Sequence, residues 1–251
     1  MLYKYETHLH TSEVSKCAVS TGAEMARAHK EAGYTGIFIT DHFINGNTTV
    51  PANLPWKQRM VLFAKGYESA KEEGDKIGLD VFFGWEYTHM PYAADYLTFN
   101  LGLDFLLAHP EINEMPFEEY ARLVKASGGI LIHAHPYRTA DYIKFEPNPQ
   151  VHLIDGVEVN NIVSNSPNNH NHLAWELARA HPRLIRTSGT DIHSAGNAGL
   201  AGMAFPYRIE SNQHFVDALR AGEGYLIIDG ENTDLEGNRI LPNEEACSSS
   251  S

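Results

Sequence analysis

The sequence predicts an α/β domain whose strands close, or nearly close, into a β/α barrel. Three observations predict it. Short apolar runs alternate with amphipathic helical stretches, which implies a mainly parallel sheet. Roughly seven such runs occur, a number that favours closure over an open doubly wound sheet. Histidines and carboxylates directly follow five of the runs, and in a parallel barrel those strand ends share one rim.

Taken in order, Tyr3–Thr7 alternates weakly and reads as the first strand. A helix follows, with Ser20 or Thr21 as its cap, Glu24 as an acid in its first turn, and Gly33 as its stop after Met25, Ala26, Ala28, His29 and Ala32. Gly36–Thr40 is a short apolar run after a glycine and suits a buried strand. A long amphipathic helix is expected over Trp56–Lys76, then strands at Leu79–Phe83 and Tyr96–Leu101. Phe117–Ala126 reads as helix, Gly129–Ile132 and Gly156–Val159 as strands, His172–Ala180 as helix, and Leu184–Thr187 as the last strand. One domain is expected over residues 1–230. Residues 231–251 lose apolar periodicity and end in four serines, which reads as a mobile tail.

Composition narrows the function. At 251 residues and 43% hydrophobic content the chain can bury a substantial core. No stretch has the length of a signal peptide or membrane span, so a cytoplasmic protein without a membrane partner is expected. Two cysteines far apart, Cys17 and Cys247, do not suggest a disulfide framework. A formal net charge of −13 argues against a broad grip on nucleic acid, which needs lysine and arginine, and favours a small-molecule partner. Bound divalent cations would nonetheless add positive charge locally.

The chemistry lies in the strand-end residues. His8-Leu9-His10 follows the first strand, where residues two apart point to one face and both imidazoles can reach one ion. The other runs end in Thr40-Asp41-His42, in Gly84-Trp85-Glu86, in Ile132-His133-Ala134-His135-Pro136 and in Gly189-Thr190-Asp191-Ile192-His193. Any one buried histidine is well explained by a hydrogen bond. Five groups at one rim are not, because so many imidazoles and carboxylates are costly to gather unless cations make the set mutually supportive. Phosphate-loop, nucleophile-elbow and Cys-x-x-Cys patterns are absent from the sequence.

These stretches resemble the signature of the PHP (polymerase and histidinol phosphatase) superfamily. His8-Leu9-His10-Thr11 is similar to its first motif, Thr40-Asp41-His42 to its second, Ile132–Pro136 to its third and Thr190–His193 to its fourth, in order along nearly the whole domain. The resemblance implies a distorted seven-stranded β/α barrel and two or three divalent metal ions (Zn, Mn or Fe). By motif, His8, His10, Glu86 and Asp191 would hold one ion, His42 and His193 a second, and Glu86 and His135 a third. The chain departs from the pattern twice. Where many members carry a further His or Asp it reads Ser15-Lys16-Cys17; protonated Lys16 cannot be a ligand and would instead contact substrate phosphate, or Glu13 or Cys17 would compensate. Asp95 stands where members often present a histidine, and a carboxylate there suits Mn²⁺ or Fe²⁺.

The implied activity is metal-dependent hydrolysis of a phosphate ester, a small phosphomonoester above all, by a metal-activated hydroxide with no side-chain nucleophile. Arg138 is the first choice for holding the phosphate and Lys16 the second. Glu158, Asn160 and the polar turn Asn165–His172 mark where specificity could reside. Two other readings stand beside this one: a nuclease or phosphodiesterase acting on nucleotides or oligonucleotide ends, and a non-catalytic metal-binding module.

Overall fold

The computed structural model describes residues 1–162, 166–222, 224–230 and 232–240. Strand β1 (Tyr3–Glu6) leads through a long loop to helix α1 (Gly22–Glu31), whose start is a full capping box: Thr21 Oγ1 accepts from Glu24 N, and the Glu24 side chain accepts from Thr21 N. Strand β2 (Gly36–Ile39) is buried throughout. The expected helix over 56–76 is two helices, α2 (Trp56–Phe63) and α3 (Lys65–Ile77), broken at Ala64. The break brings Gly66 against the loop after β1, where a Cβ would meet Thr11 Oγ1 and Asp41 Oδ2 at 2.0 and 2.5 Å. A glycine is needed there because the backbone touches the site's support.

Next come β3 (Asp80–Phe83), β4 (Trp85–His89), β5 (Ala94–Phe99), α4 (Leu103–Ala108), α5 (Phe117–Ala126) and β6 (Ile130–His133). The chain continues with β7 (Gly156–Asn161), α6 (Asn171–Ala180), β8 (Ile185–Gly189), β9 (Ala201–Phe205), α7 (Asn212–Ala221), β10 (Leu226–Asp229) and β11 (Asn232–Thr233).

The strands form two mixed sheets, ordered β11-β10-β9-β1-β2-β3 and β4-β5-β6-β7-β8. This corrects two expectations. Pairing is not mainly parallel, because β9 pairs antiparallel with β1, β10 with β9 and β11 with β10, and β5 runs antiparallel between β4 and β6. Nor does the hydrogen bonding among the described residues close a barrel. The sheets meet at two isolated parallel bridges, Leu9 with Ile192 and His42 with Glu86, each involving or flanked by the strand-end histidines. Of the segment read as a tail, Asn232–Thr233 pairs with β10 and Thr233 bridges back to Arg239, while 241–251 lie outside the described residues.

Strand alternation builds the core. Ile37 and Ile39 of β2 pack with Met25 and Ala26 of α1 and Ala70 of α3. Phe38 points the other way and meets Phe99 of the second sheet and Phe215 of α7, with ring centroids 5.4 and 4.3 Å away. Each such fully buried side chain contributes about 2–3 kcal/mol, so the two sheets are held face to face and their rim is a firm platform. No described helix is long and apolar enough to cross a membrane.

Candidate metal centre

Every element that ends at the rim delivers a ligand-type side chain. His8 and His10 leave β1, Asp41 and His42 leave β2, Glu86 lies in β4, His135 follows β6, and Asp191 and His193 follow β8. Asp95 reaches the same rim from the start of β5, because that strand runs antiparallel to its neighbours. His135 (φ 31°) and Asp191 (φ 57°) sit in the left-handed region, which non-glycine residues adopt at a cost of order 1–3 kcal/mol and which clusters at functional sites.

The side chains converge. Glu86 is the hub: its Oε1 lies 3.2 Å from His8 Nε2 and 3.4 Å from His135 Nε2, and its Oε2 lies 2.5 Å from His42 Nδ1 and 3.6 Å from His10 Nε2. Asp191 Oδ1 is 3.1 Å from His10 Nε2 and 3.4 Å from His8 Nε2. Three overlapping sets place their donor atoms within 4.8 Å of one another: His8–His10–Asp191, His10–His42–His193 and His8–Glu86–His135. Asp95 is more distant, with Oδ2 3.9 Å from His135 Nε2 and Oδ1 accepting from Thr88.

A second layer fixes how the imidazoles face. His8 Nδ1 lies 3.1 Å from Glu158 Oε1, a fully buried carboxylate that also accepts from His135 N and Asn161 Nδ2. His10 Nδ1 meets Ser15 Oγ, which itself donates to Asp41. With one nitrogen of each ring engaged, the other faces the cluster, the arrangement that orients metal-binding histidines. Asp41 is occupied by Thr11 N, Thr11 Oγ1 and Ser15 Oγ, so it braces the loop that carries His10 and is not free to protonate a leaving group.

Four buried atoms crowd together at this one point in contacts that lack hydrogen-bond geometry: His8 Nε2, His10 Nε2, His42 Nδ1 and Glu86 Oε2. Burial opposes charge on each group, yet the charges hold one another. Glu86 is kept well below the usual carboxylate range by His42 and His8, and Asp191 by His8 and Arg138. His8 is lifted by Asp191, Glu158 and Glu86, and His42 by Glu86 and Cys17. His10 goes the other way, lowered by burial and by His42 and His193, so it is a neutral imidazole with a free lone pair. Neutral imidazole and ionised carboxylate are the forms that bind divalent cations, so a cation would replace the protons that the carboxylates favour on His8 and His42, and the donor set fits that group.

Of the residues around the first loop, Glu13 faces away and takes Gly22 N at the start of α1. Lys16 is exposed and lines neither of the cavities at the rim. Cys17 lies against the cluster, its Sγ 3.2 Å from His42 Nε2. Burial raises this thiol, but His193 and His42 outweigh burial and bring it down to about 6. Arg138 is drawn in by Asn169 Oδ1, Asn161 Oδ1 and Asp191 Oδ2 at 2.7, 3.1 and 2.5 Å. It lines a cleft of about 660 Å³ together with Cys17, His42, Asp95, Asp191 and His193. His109 bonds Phe105 O and lies tilted against that ring, a local structural role.

The sequence by itself matches no protein-family profile and no curated protein. Solved structures do match. A two-domain protein from Bacteroides vulgatus containing a predicted PHP-like metal-dependent phosphoesterase superposes with a TM-score of 0.67 at 16% identity, over 93% of this chain and 66% of that one. The chain has a PHP-like fold. A protein from Bifidobacterium adolescentis assigned as a metal-dependent phosphoesterase gives 0.53 at 16% identity, over 87% and 96% of the two chains. EndoQ, a lesion-specific endonuclease from Pyrococcus furiosus, gives 0.60 at 14%, over 99% of this chain and 66% of its own. The chain thus spans just under two thirds of the length of the Bacteroides and Pyrococcus proteins. Because an endonuclease shares the PHP-like fold, the fold lends no support to excluding nucleic acid as a substrate.

Proposed function

We propose that this chain is a metal-dependent hydrolase of phosphate esters, acting on a small phosphomonoester. The observation that carries the reading is the convergence of four unpaired buried donor atoms beneath an arginine-lined cleft on a PHP-like fold. His8, His10, Glu86 and Asp191 would hold one ion, His42 and His193 with Cys17 a second, and Glu86, His135 and Asp95 a third. When bound, such cations polarise phosphoryl oxygens and make water acidic enough to attack at neutral pH.

The protein's own groups do the rest. Arg138, fixed by two asparagines and Asp191, presents a pre-set cation at the cleft wall and can orient a phosphate oxygen. Glu158 and Ser15 hold His8 and His10 in the tautomer that leaves Nε2 facing inward. A polymer substrate is the second reading, favoured by the fold shared with EndoQ. A metal-binding module without turnover would keep the donors but has no use for the cleft and its arginine.

The test is elemental analysis of purified protein together with phosphate release from a panel of monoesters and diesters, before and after chelation, for wild type and His10→Ala. Two or more ions per chain and a chelator-sensitive turnover that drops about a thousandfold or more in the variant are expected. Absence of bound metal overturns the proposal. Bound metal with turnover only on diesters moves the assignment to a nuclease, and metal without turnover on either moves it to a binding module.

A further inference from the structure

Glu158 and Asn161 stand three residues apart on β7, a spacing that in a regular strand sends side chains to opposite faces. Here they meet. The register against β8 shifts between them, with Glu158 opposite Thr187 and Asn160 opposite Ser188, so Val159 is an extra residue that turns the strand. The shift brings Asn161 Nδ2 to 2.7 Å from Glu158 Oε2.

The two ends of the Asn161 amide serve two different parts of the site. Nδ2 donates to Glu158, the carboxylate that faces His8 Nδ1. Oδ1 accepts from Arg138 Nη2 at 3.1 Å and from Asn169 Nδ2 at 2.8 Å. A carboxylate only accepts and a guanidinium only donates, so the amide has one workable orientation, and an apolar or acidic side chain of its size cannot serve both neighbours. Asn161 is fully buried and lines no part of the cleft, so water does not replace a lost partner. The asparagines that follow hold it in place. Asn169 accepts from Arg138 Nε at 2.7 Å through Oδ1, and Asn171 brackets the Asn161 backbone, accepting from its N and donating to its O.

We propose that Asn161 is a positioning residue that sets the His8 side of the metal centre and the phosphate-orienting Arg138 in one frame through a single amide. This rests on the hydrolytic reading above, which gives Arg138 its phosphate. Such a reaction needs the cations and the guanidinium on the same phosphoryl group, and a misplacement of about 1 Å costs about a hundredfold in rate. Glu158 steadies His8 and Asn169 steadies Arg138, each on its own side, whereas Asn161 touches both. Arg138 also meets Asp191 directly, but those two groups are the ones that ligands engage. The buried amide is the link that stays out of the ligands' way.

The test measures two affinities on the full chain: Mn²⁺ or Zn²⁺ by titration against a chelator, and inorganic phosphate by equilibrium binding at saturating cation. Glu158→Gln is expected to weaken the cation alone and Asn169→Ala the phosphate alone, each about tenfold. Asn161→Ala should weaken both about tenfold, and add little to either loss when combined with the variant on that side. Asn161→Ser, whose one hydroxyl cannot span both neighbours, gives the same pair of readings should the alanine chain fail to fold. Melting temperatures in excess chelator accompany each variant. An Asn161 variant that melts early yet binds cation and phosphate as the wild type does overturns the proposal, as does loss of only one affinity or full additivity in the double variants. Both affinities lost together, with no phosphate released by the wild type from any ester, supports the link and removes the hydrolytic reading.

Discussion

Two buried polar clusters lie on the same strand, two residues apart, and they are built on opposite principles. At the rim, His8, His10, His42 and Glu86 turn unpaired atoms toward one another. Just before them on β1, Glu6 is fully buried and fully served: it accepts from Thr7 N, His8 N, Thr190 N and Thr190 Oγ1. Near Glu6, His29 leaves its own Nε2 unpaired, 3.9 Å from Glu6 Oε2, while its Nδ1 bonds Met25 O. A single unpaired atom is thus a local structural cost. Four that share one point fit a divalent cation. The distinction predicts that perturbing the lower cluster changes stability, and that perturbing the rim changes metal binding.

The largest effect should come from His29. Burial, only partly offset by the Met25 carbonyl, brings its imidazole down to about 4 from an ordinary value of 6.5. Above pH 6.5 both folded and unfolded chains carry it neutral. Between 6.5 and 4 the unfolded chain takes up a proton that the folded chain refuses, so stability falls as pH falls, by about 3 kcal/mol in all. Glu6, which burial raises to about 7, and the rim histidines His8 and His42, which their carboxylates raise, titrate in the opposite sense. The informative quantity is therefore the difference between wild type and His29→Gln in urea midpoints across that range. Parallel pH profiles would show that His29 does not carry this acid sensitivity.

A smaller effect, of the opposite kind, is expected at Glu158. Glu158→Gln keeps the shape but removes the charge that faces His8 Nδ1. Metal affinity should weaken about tenfold to a hundredfold, read by titration against a chelator, while the melting temperature in excess chelator changes little. A variant that melts early without metal yet binds it normally would place Glu158 with the structural cluster instead.

How much of this was legible in the sequence follows from the same contrast. The rim histidines and carboxylates were visible because each follows a short apolar run, and extended backbone fixes where the next two side chains face. Asp95 was visible as a residue but not in its geometry, since a tight reversal after β4 makes β5 antiparallel and brings a strand start, not a strand end, to the rim. The strands and helix after residue 200 carry no such pattern. Ala201–Phe205 is a five-residue run with two alanines and a glycine, and its burial comes from β1 and β10 on either side. The sequence marks Glu158 only as a specificity residue, because its role depends on His8, 150 positions away, and no local pattern encodes that pairing.

The smallest expected effect concerns the loop where the chain departs from the PHP pattern, and it sharpens the comparison most. Cys17 is an exposed residue whose thiol is only partly desolvated, so it needs a ligand less than the four buried atoms do. Its claim rests on position, with Sγ 3.2 Å from His42 Nε2 and His193 also in hydrogen-bond contact with the thiol. A thiolate there adds a soft donor to a set of imidazoles and biases that ion toward zinc or iron over manganese. Cys17→Ser should weaken one ion of the set about tenfold and leave the others unchanged. In cobalt-substituted protein it should also remove a thiolate-to-metal charge-transfer band in the near ultraviolet, a signal that imidazole and carboxylate donors do not give. A cobalt spectrum without that band in the wild type would leave the second ion to His42 and His193, and Cys17 would then be a reactive thiol at the mouth of the cleft rather than part of its floor.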